Sequence, residues 1–175
     1  MFRVNLVTVH ISLTTLDEKL RSVMEPRTST SAKRLETIQV LADAGIPVGV
    51  MIAPIIPGLN NHEIPSIIRE ATERGAVSIG YNVVRLNGQL NLLFKDWLVK
   101  SFPDRATRVW NLITTLHGGQ VSDTNWGRRL KGDGNIAESI RQMVEVSKKK
   151  YLNNKSLPNL DLTRFRKSGN YTLFG

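Results

Sequence analysis

Few side chains in this sequence are suited to covalent or metal chemistry. The 175 residues contain no cysteine, which excludes a disulfide, a thiolate nucleophile, and any zinc or iron–sulfur site built from the chain's own thiolates. The three histidines, His10, His62 and His117, are far apart and match no metal-ligand spacing. We see no nucleophile–base pair either. The sequence therefore identifies no catalytic residue.

A basic, glycine-rich segment at residues 120–134 is the best candidate for contact with phosphates. Trp126 is flanked there by the cations Arg128, Arg129 and Lys131. An aromatic ring among cations suits base stacking combined with phosphate contact, so these four residues are candidate nucleic-acid contacts. The segment is not a P-loop, because the GxxxxGK[ST] spacing is absent. An ordinary ordered loop anchored by one tryptophan is an equally good interpretation.

The charge of the chain is concentrated near its C-terminus. Residues 1–125 contain 13 Lys/Arg and 11 Asp/Glu, a net charge of +2, whereas residues 126–175 contain 11 Lys/Arg and 4 Asp/Glu, a net charge of +7. Such a basic third favours contact with a polyanion, most plausibly nucleic acid. A solvated surface that keeps the protein soluble explains the charge equally well.

Residues 46–61 form the stretch around which the other elements are arranged. The apolar, β-branched run at residues 46–56 is too short to cross a bilayer and too uninterrupted for a half-exposed strand. It predicts a strand buried on both faces of a helix-covered parallel sheet. Pro54 and Pro57 end this strand, because neither can donate a backbone hydrogen bond. Ligands bind at the carboxyl ends of such strands in α/β folds.

Two further strands and a series of helices flank this stretch. Alternation predicts a strand at residues 6–14, and an apolar run predicts another at residues 76–86. Helical periodicity or turn signals predict six further segments, at residues 15–24, 32–44, 62–74, 89–102, 104–117 and 135–152. Asn60 and Glu63 have capping-box spacing. The β-α-β-α-β order predicts a parallel sheet with right-handed crossovers, and three strands suggest part of a larger barrel.

We predict three regions along the chain. Residues 1–88 are expected to form half of a barrel, residues 89–152 a helical extension, and residues 153–175 an extended or flexible basic tail. No apolar run is long enough to span a membrane and no secretory signal is recognisable. The chain is therefore expected to be cytoplasmic, with no membrane partner.

Three segments carry a family resemblance. Residues 25–29, 33–36 and 44–60, which read EPRTS, KRLE and AGIPVGVMIAPIIPGLN, resemble the radical S-adenosylmethionine proteins related to spore photoproduct lyase, often described as DNA repair photolyase-like. The resemblance implies an α/β fold, namely the C-terminal half of a (β/α)6 partial TIM barrel with three parallel strands, followed by a helical extension. The first half of that family carries a Cys-x3-Cys-x2-Cys loop that holds a 4Fe–4S cluster, and this half is expected to be missing here.

The resemblance also implies where S-adenosylmethionine would bind. Ser12 is similar to the family serine that contacts the methionine end of this cofactor, and a plain strand serine is the alternative. Thr14 lies at the same rim. Ala53 and Pro54 match the strand end that flanks the adenine through backbone groups.

Two other sets of residues belong to the resemblance. Asn82 and Arg85, near the end of the third strand, are expected to reach ribose or a substrate phosphate, with a simply exposed arginine as the alternative. Glu25, Arg27 and Arg34 are a family signature without a derivable role. A structural ion pair is the expectation for this set, rather than catalysis.

The resemblance implies an enzyme that cleaves S-adenosylmethionine reductively to a 5′-deoxyadenosyl radical in a lyase or DNA repair reaction. Electron donation requires the cluster. We therefore expect a truncated radical S-adenosylmethionine enzyme, inactive without a missing N-terminal half that would be its partner. S-adenosylmethionine and a 4Fe–4S cluster are the implied cofactors, although this chain cannot ligate the cluster.

Three alternative functions stay open. The first is a nucleic-acid-binding module that uses the basic C-terminal third. The second is an interaction module, because residues 170–174, NYTLF, resemble the bacterial sliding-clamp-binding peptide with Asn in place of Gln and Tyr in place of Leu. The third is a small-molecule enzyme without radical chemistry.

Overall fold

The fold is an α/β arrangement in which three parallel strands form one sheet. A computed structural model describes residues 7–121, 129–153 and 155–159. The strand order is β1-β2-β3, and both strand pairs are parallel. The predicted α/β class, with three parallel strands as in a partial barrel and helices after them, is confirmed.

The elements follow the predicted order. The strands are β1 Val9–Ser12, β2 Val48–Ile55 and β3 Ser78–Val83. The helices are α1 Glu18–Met24, α2 Ser31–Asp43, α3 Ile64–Glu73, α4 Leu90–Ser101, α5 Pro103–Leu116 and α6 Gly134–Tyr151. A short 3₁₀ turn, Asn61–Glu63, precedes α3. Each observed strand is shorter than the range predicted for it. The residues at the ends of the predicted range lie outside the hydrogen-bonded ladder.

The two helices that connect the strands end at glycines. Gly45 follows α2 with φ of 73°, and Gly75 follows α3 with φ of 93°. These left-handed conformations suit glycine, which has no Cβ to clash with the backbone. The chain reverses at both glycines and enters the next strand, which gives the β-α-β-α-β order of the sheet.

One face of the sheet is covered by helices and the other is not. Side chains of the three strands that point toward α2, α3 and α6 are mostly buried, and they share one core cluster with Ile67, Ile140 and Val144. On the opposite face, Met51 and Ala53 are only half-buried within the described part of the chain. The prediction that this strand is buried on both faces was therefore wrong. The apolar residues of this run therefore include some, such as Met51 and Ala53, on a face that no described helix covers.

The two edges of the sheet also differ. At the outer edge of β3, the backbone N–H of Val83 donates to the carbonyl of Leu130 at 2.9 Å. The Lys131 ammonium donates to the Tyr81 carbonyl at 2.5 Å. Within the described residues, the outer edge of β1 has no neighbouring strand. In the described part of the chain, the end of the β3 outer edge is therefore occupied at Val83, whereas no strand pairs with the outer edge of β1.

Pro54 interrupts the ladder near the end of β2. The register between β2 and β3 is regular up to Ile52 and Tyr81, and it shifts between Ile52 and Ile55. Pro54 has no N–H to donate, which accounts for the irregularity. The ladder resumes after Pro54, because Ile55 still pairs with Val83, so Pro54 interrupts the ladder and does not end it as the sequence predicted.

The helices after β3 are joined to the sheet through α6. Helix α6 packs against α3 and α5, and α4 packs against α5. A second cluster around Val109, Ile113 and Leu98 fills the space between α4, α5 and the loop after β2. The region boundaries at residues 88 and 152 stay predictions. None of the helices in the described part has the length and apolar composition needed to cross a membrane.

Candidate functional site

The carboxyl ends of β1 and β2 meet through hydroxyl groups. Thr14 is 1% exposed, and its Oγ1 lies 3.2 Å from the Ala53 carbonyl and 2.7 Å from Glu25 Oε1. The Ser12 hydroxyl is exposed and reaches the same carbonyl only at 3.5 Å. The structure thus brings Ser12, Thr14 and Ala53 together, as the resemblance implied. Thr14 is held by protein groups, whereas Ser12 faces solvent and is available to a ligand.

An ion pair lies beside these hydroxyls. Arg34 Nη2 donates to Glu25 Oε2 at 2.6 Å, and Arg34 Nη1 donates to the Ser12 carbonyl at 3.0 Å. Both side chains are mostly buried, at 15% and 23% exposed. The expected structural ion pair of the signature is thus formed by Glu25 and Arg34, while Arg27 is exposed with φ of 64°.

These groups line a groove of about 610 Å³, here named the polar groove, whose other walls include His10, Thr28 and Thr37. A guanidinium, a carboxylate and an exposed hydroxyl occur in it side by side. The groove therefore holds the types of group that bind the carboxylate and the ammonium of an amino-acid zwitterion, with Arg34 and Glu25 paired to each other in this structure.

Two side chains with capping-box spacing fix the segments at the carboxyl ends of β1 and β2 instead. Asn60 is 2% exposed, and its Nδ2 donates to the carbonyls of Thr14 and Pro54 while its Oδ1 accepts from Ile56 N. Glu63 accepts from the Thr15 hydroxyl and the Leu16 N–H, both at 2.6 Å. The capping-box interpretation was therefore wrong, because neither residue caps α3 with its side chain. The sequence signal available was the polar run at residues 60–63, which follows Pro57, Gly58 and Leu59.

The uncovered face of the sheet, here named the open face, carries mostly small or polar groups. Alternation along the three strands places the following residues on it: His10, Ser12, Gly49, Met51, Ala53, Ser78, Gly80 and Asn82. The His10 ring lies over Gly49, and Met51 lies over Gly80, where an added Cβ would be 2.6 and 2.9 Å from those side chains. Asn82 is half-buried on this face near the end of β3. Side chains can therefore lie flat on the sheet at these two glycines.

Arg85 does not join the other predicted cofactor residues. It follows the end of β3, and its guanidinium faces the Asn87 side-chain carbonyl at 3.1 and 3.2 Å in the amide orientation that satisfies both groups. Its backbone neighbour Val84 continues the contact with β2, because Val84 N donates to the Ile55 carbonyl at 2.9 Å. A role for Arg85 toward ribose or phosphate stays a prediction.

The tips of β2 and β3 end in an apolar groove. Pro54, Ile56 and Val84 line a depression of about 490 Å³ together with Phe94 and Trp97 of α4. Trp97 donates its indole N–H to the Val23 carbonyl at 3.2 Å, which connects α4 to α1. Pro54, which was assigned to the adenine end of the cofactor, therefore belongs to an apolar surface. The polar groups lie toward β1.

Only part of the predicted nucleic-acid contact is described. Trp126 and Arg128 lie outside the described residues, as does the clamp-like ending at residues 170–174. The Lys131 ammonium lies 3.5 Å from the centroid of the Tyr81 ring, and burial and the nearby Lys148 lower its pKa. Burial also raises the pKa of Tyr81. Lys131 is thus engaged with β3, and a nucleic-acid role for it and for Arg129 stays a prediction.

The groups present fit one of the two implied cofactors. The polar groove matches the zwitterionic methionine portion of S-adenosylmethionine, and the open face adjoins it. The sequence contains no cysteine, and the described residues contain no group of three His, Asp or Glu side chains that could hold a metal ion. This chain therefore does not fit a 4Fe–4S cluster.

Comparison with protein families gives one match. Residues 1–71 match the model of the radical SAM superfamily. This segment contains β1, α1, α2 and β2 and extends into α3. It includes Ser12, Glu25, Arg34 and Ala53, so the polar groove lies within the matched part. The match does not distinguish a spore photoproduct lyase type from other members.

Curated relatives are similar over parts of their length. The chain is 41% identical over 51 residues to an uncharacterized protein of Acidianus two-tailed virus, a region that is 29% of this chain and 17% of that protein. It is 28% identical over 104 residues to uncharacterized proteins of Mycobacterium tuberculosis and Mycobacterium bovis, which is 58% of this chain and 31% of each of those proteins. The chain thus spans about a third or less of these relatives. No solved structure matches it.

Proposed function

We propose that this chain forms the S-adenosylmethionine-binding wall of a radical SAM active site, and that the thiolates for its 4Fe–4S cluster come from polypeptide outside these 175 residues. The observation that carries the proposal is the polar groove beside an open sheet face, in the part that matches the radical SAM superfamily. A cluster, when bound, supplies the electron that cleaves S-adenosylmethionine. The chain by itself is expected to be inactive.

Each polar group has a distinct part in the proposed binding. Arg34 and the Ser12 hydroxyl would bind the carboxylate of the methionine portion, and Glu25 would bind its ammonium. The backbone of Ala53 would lie near the adenine. Thr14, which is already hydrogen-bonded to Glu25 and Ala53, would position the Glu25 carboxylate rather than contact the cofactor.

The missing wall has a defined place in this proposal. The outer edge of β1 is open within the described residues, whereas Val83 at the outer edge of β3 already donates to the Leu130 carbonyl. Further parallel strands would therefore pair with β1 and curve over the open face, which would bring their thiolates toward the polar groove. This arrangement requires polypeptide that carries strands as well as cysteines.

The type of enzyme is the finer part of the proposal. Its support is the resemblance of residues 25–29 and 44–60 to DNA repair photolyase-like proteins related to spore photoproduct lyase. Under that interpretation the substrate would be DNA and the reaction would be a repair reaction of the lyase kind. The apolar groove at the tips of β2 and β3 is a surface on which an uncharged part of a substrate would pack.

The proposal is tested by equilibrium dialysis of the full chain with S-adenosylmethionine. We expect weak but saturable binding, and a dissociation constant at least about tenfold higher in Arg34→Gln, because one charge-assisted hydrogen bond to the carboxylate is lost. Lys33→Gln, with the same charge change on the exposed side of α2, is the control and should bind like the wild type. Saturable binding that Arg34→Gln leaves unchanged would refute the proposed wall.

A second experiment addresses the cluster. Anaerobic incubation of the chain with iron and sulfide should leave no 4Fe–4S cluster that survives desalting, as followed by visible absorbance and electron paramagnetic resonance. A stable cluster on this cysteine-free chain would contradict the assignment of its ligands to other polypeptide.

A further inference from the structure

A second groove lies away from the open face, between α5, α6 and the loop that follows β2. It has a volume of about 640 Å³. Its cations are Arg105 and Arg108 of α5, and the imidazole of His62 from the 3₁₀ turn also lines it. Its floor is apolar, with Val109 and Ile140 buried. We name it the arginine groove.

The two arginines of this groove are not neutralised by the protein. In the described part of the chain, neither Arg105 nor Arg108 has a carboxylate within ion-pair distance, and no carboxylate lines the groove. Several other arginines are paired, since Arg34, Arg74 and Arg141 each bind a carboxylate oxygen at 2.6 Å. The arginine groove therefore brings two arginines without a carboxylate partner among the described residues into one cavity.

The spacing of the two arginines suits one anion. Residues three apart on a helix lie on the same face with Cβ atoms about 5–6 Å apart, and like charges at that spacing destabilise a helix. An anionic group bound between Arg105 and Arg108 would remove this repulsion and accept hydrogen bonds from both guanidinium groups. A phosphate has the charge and the number of oxygens for such contacts.

The remaining walls indicate more than an inorganic ion. Asn135 and Ser139 of α6 add a side-chain amide and a hydroxyl to the lining, which can hydrogen-bond to a ring or a sugar. The apolar floor is extended by Leu112, which is half-buried. A ligand pocket commonly combines such a floor with a few polar groups that fix orientation.

We propose that the arginine groove binds a phosphate ester with an attached ring, as in a nucleotide, with the phosphate between Arg105 and Arg108 and the ring on the floor near Leu112. The site is separate from the proposed S-adenosylmethionine wall, and either proposal can fail without the other. The shared chemistry allows two sources, a free nucleotide or a nucleotide within a single strand of nucleic acid.

The test is isothermal titration calorimetry of the full chain at low salt with ADP, pyrophosphate and a short thymidine oligonucleotide. We expect saturable binding of ADP, with a dissociation constant raised at least about tenfold in the double variant Arg105→Gln, Arg108→Gln. The double variant Lys33→Gln, Arg69→Gln removes the same charge from exposed positions on α2 and α3 and should bind ADP like the wild type. All four positions are exposed or helix-surface residues, and circular dichroism verifies that the variants remain folded.

Two further arms complete the test. Leu112→Ser should weaken ADP more than pyrophosphate, because only ADP has a ring to place on the floor. An oligonucleotide that displaces ADP identifies nucleic acid as the source, and one that leaves ADP in place identifies a free nucleotide. Absence of ADP binding at millimolar concentration, or equal loss in both double variants, would overturn the proposal.

Discussion

Asn60 connects two strand ends with one side chain. Its amide spans the carbonyls of Thr14 and Pro54 and the N–H of Ile56 from a buried position. The carboxyl ends of β1 and β2 therefore depend on hydrogen bonds from this side chain to backbone, which fix where the two strands end. A ligand at these strand ends would meet a preformed surface, with little reorganisation required on binding.

Replacing Asn60 tests this role at the scale of the residue. Asn60→Ala should lower the free energy of unfolding by about 2–4 kcal/mol, because three hydrogen bonds are lost and buried backbone groups are left unpaired. Urea denaturation measures the change. Asn111→Ala, at an exposed position of α5, is the control and should shift stability by no more than about 0.5 kcal/mol. Equal effects of the two substitutions would contradict the role.

Glu70 gives a prediction about pH. Hydrogen bonds from Arg74 and then Arg69 lower the pKa of the Glu70 carboxyl from its ordinary 4.5. Since the folded pKa is the lower one, the stabilisation is fully present above pH 4.5 and is lost as the pH falls through the folded value. In NMR titrations the Glu70 carboxyl should have its midpoint below 4.5, and Arg74→Gln should move it upward. An unchanged midpoint would rule out Arg74 as the main cause.

At the scale of elements, the helices and strands were largely predictable, while the rim was not. The glycines that end α2 and α3 and the apolar periodicity of α3 are local signals, so the sequence alone located these elements. The contacts of Asn60 and Glu63 reach residues more than 40 positions away, which no local pattern encodes. The sequence also did not reveal the open face. An apolar run is compatible with a strand that is covered on both faces and with a strand that is covered on only one.

The ends of α2 and α3 give a matched pair of substitutions. Gly45 and Gly75 both have positive φ, but a Cβ at Gly45 meets nothing within 4 Å, whereas one at Gly75 would lie 2.5 Å from the Ala42 Cβ. Gly45→Ala should cost about 1 kcal/mol of unfolding free energy from backbone strain alone. Gly75→Ala should cost about 2–4 kcal/mol, because the clash is added to the same strain.

The control for this pair is the double variant Ala42→Gly, Gly75→Ala. Removing the Ala42 methyl should return part of the stability lost in Gly75→Ala, after correction for Ala42→Gly alone, as measured by urea unfolding of all four chains. Equal losses in Gly45→Ala and Gly75→Ala would show that the two helix ends are not packed as described.

At the scale of the whole molecule, the sheet has one covered face, one open face and one open edge in the described residues. Alternation along β1 directs the N–H groups of Val9 and Leu13 toward β2, where they donate to Pro47 and Met51 at 3.0 Å. The N–H groups of His10 and Ser12 point to the opposite side, at the outer edge.

Hydrogen exchange measures this difference directly. The amides of His10 and Ser12 should exchange much faster than those of Val9 and Leu13, because only the latter pair is hydrogen-bonded within the sheet. Polypeptide that pairs with β1 should slow His10 and Ser12 selectively. The Val83 amide at the outer edge of β3, which donates to Leu130, is the control and should be protected in the chain alone. Protection of His10 and Ser12 in dilute chain would contradict an open edge.

The contrast between the two edges bears on how neighbours can be added. A chain with two open edges can recruit neighbours on both sides and propagate into fibres, as heterologous contacts do when they fail to close. Here the N–H of Val83 at the outer edge of β3 already donates to the carbonyl of Leu130, so a strand added along that end would have to displace this contact. Among the described residues, the outer edge of β1 is the edge to which one complement, or one second copy, adds without displacing a backbone hydrogen bond.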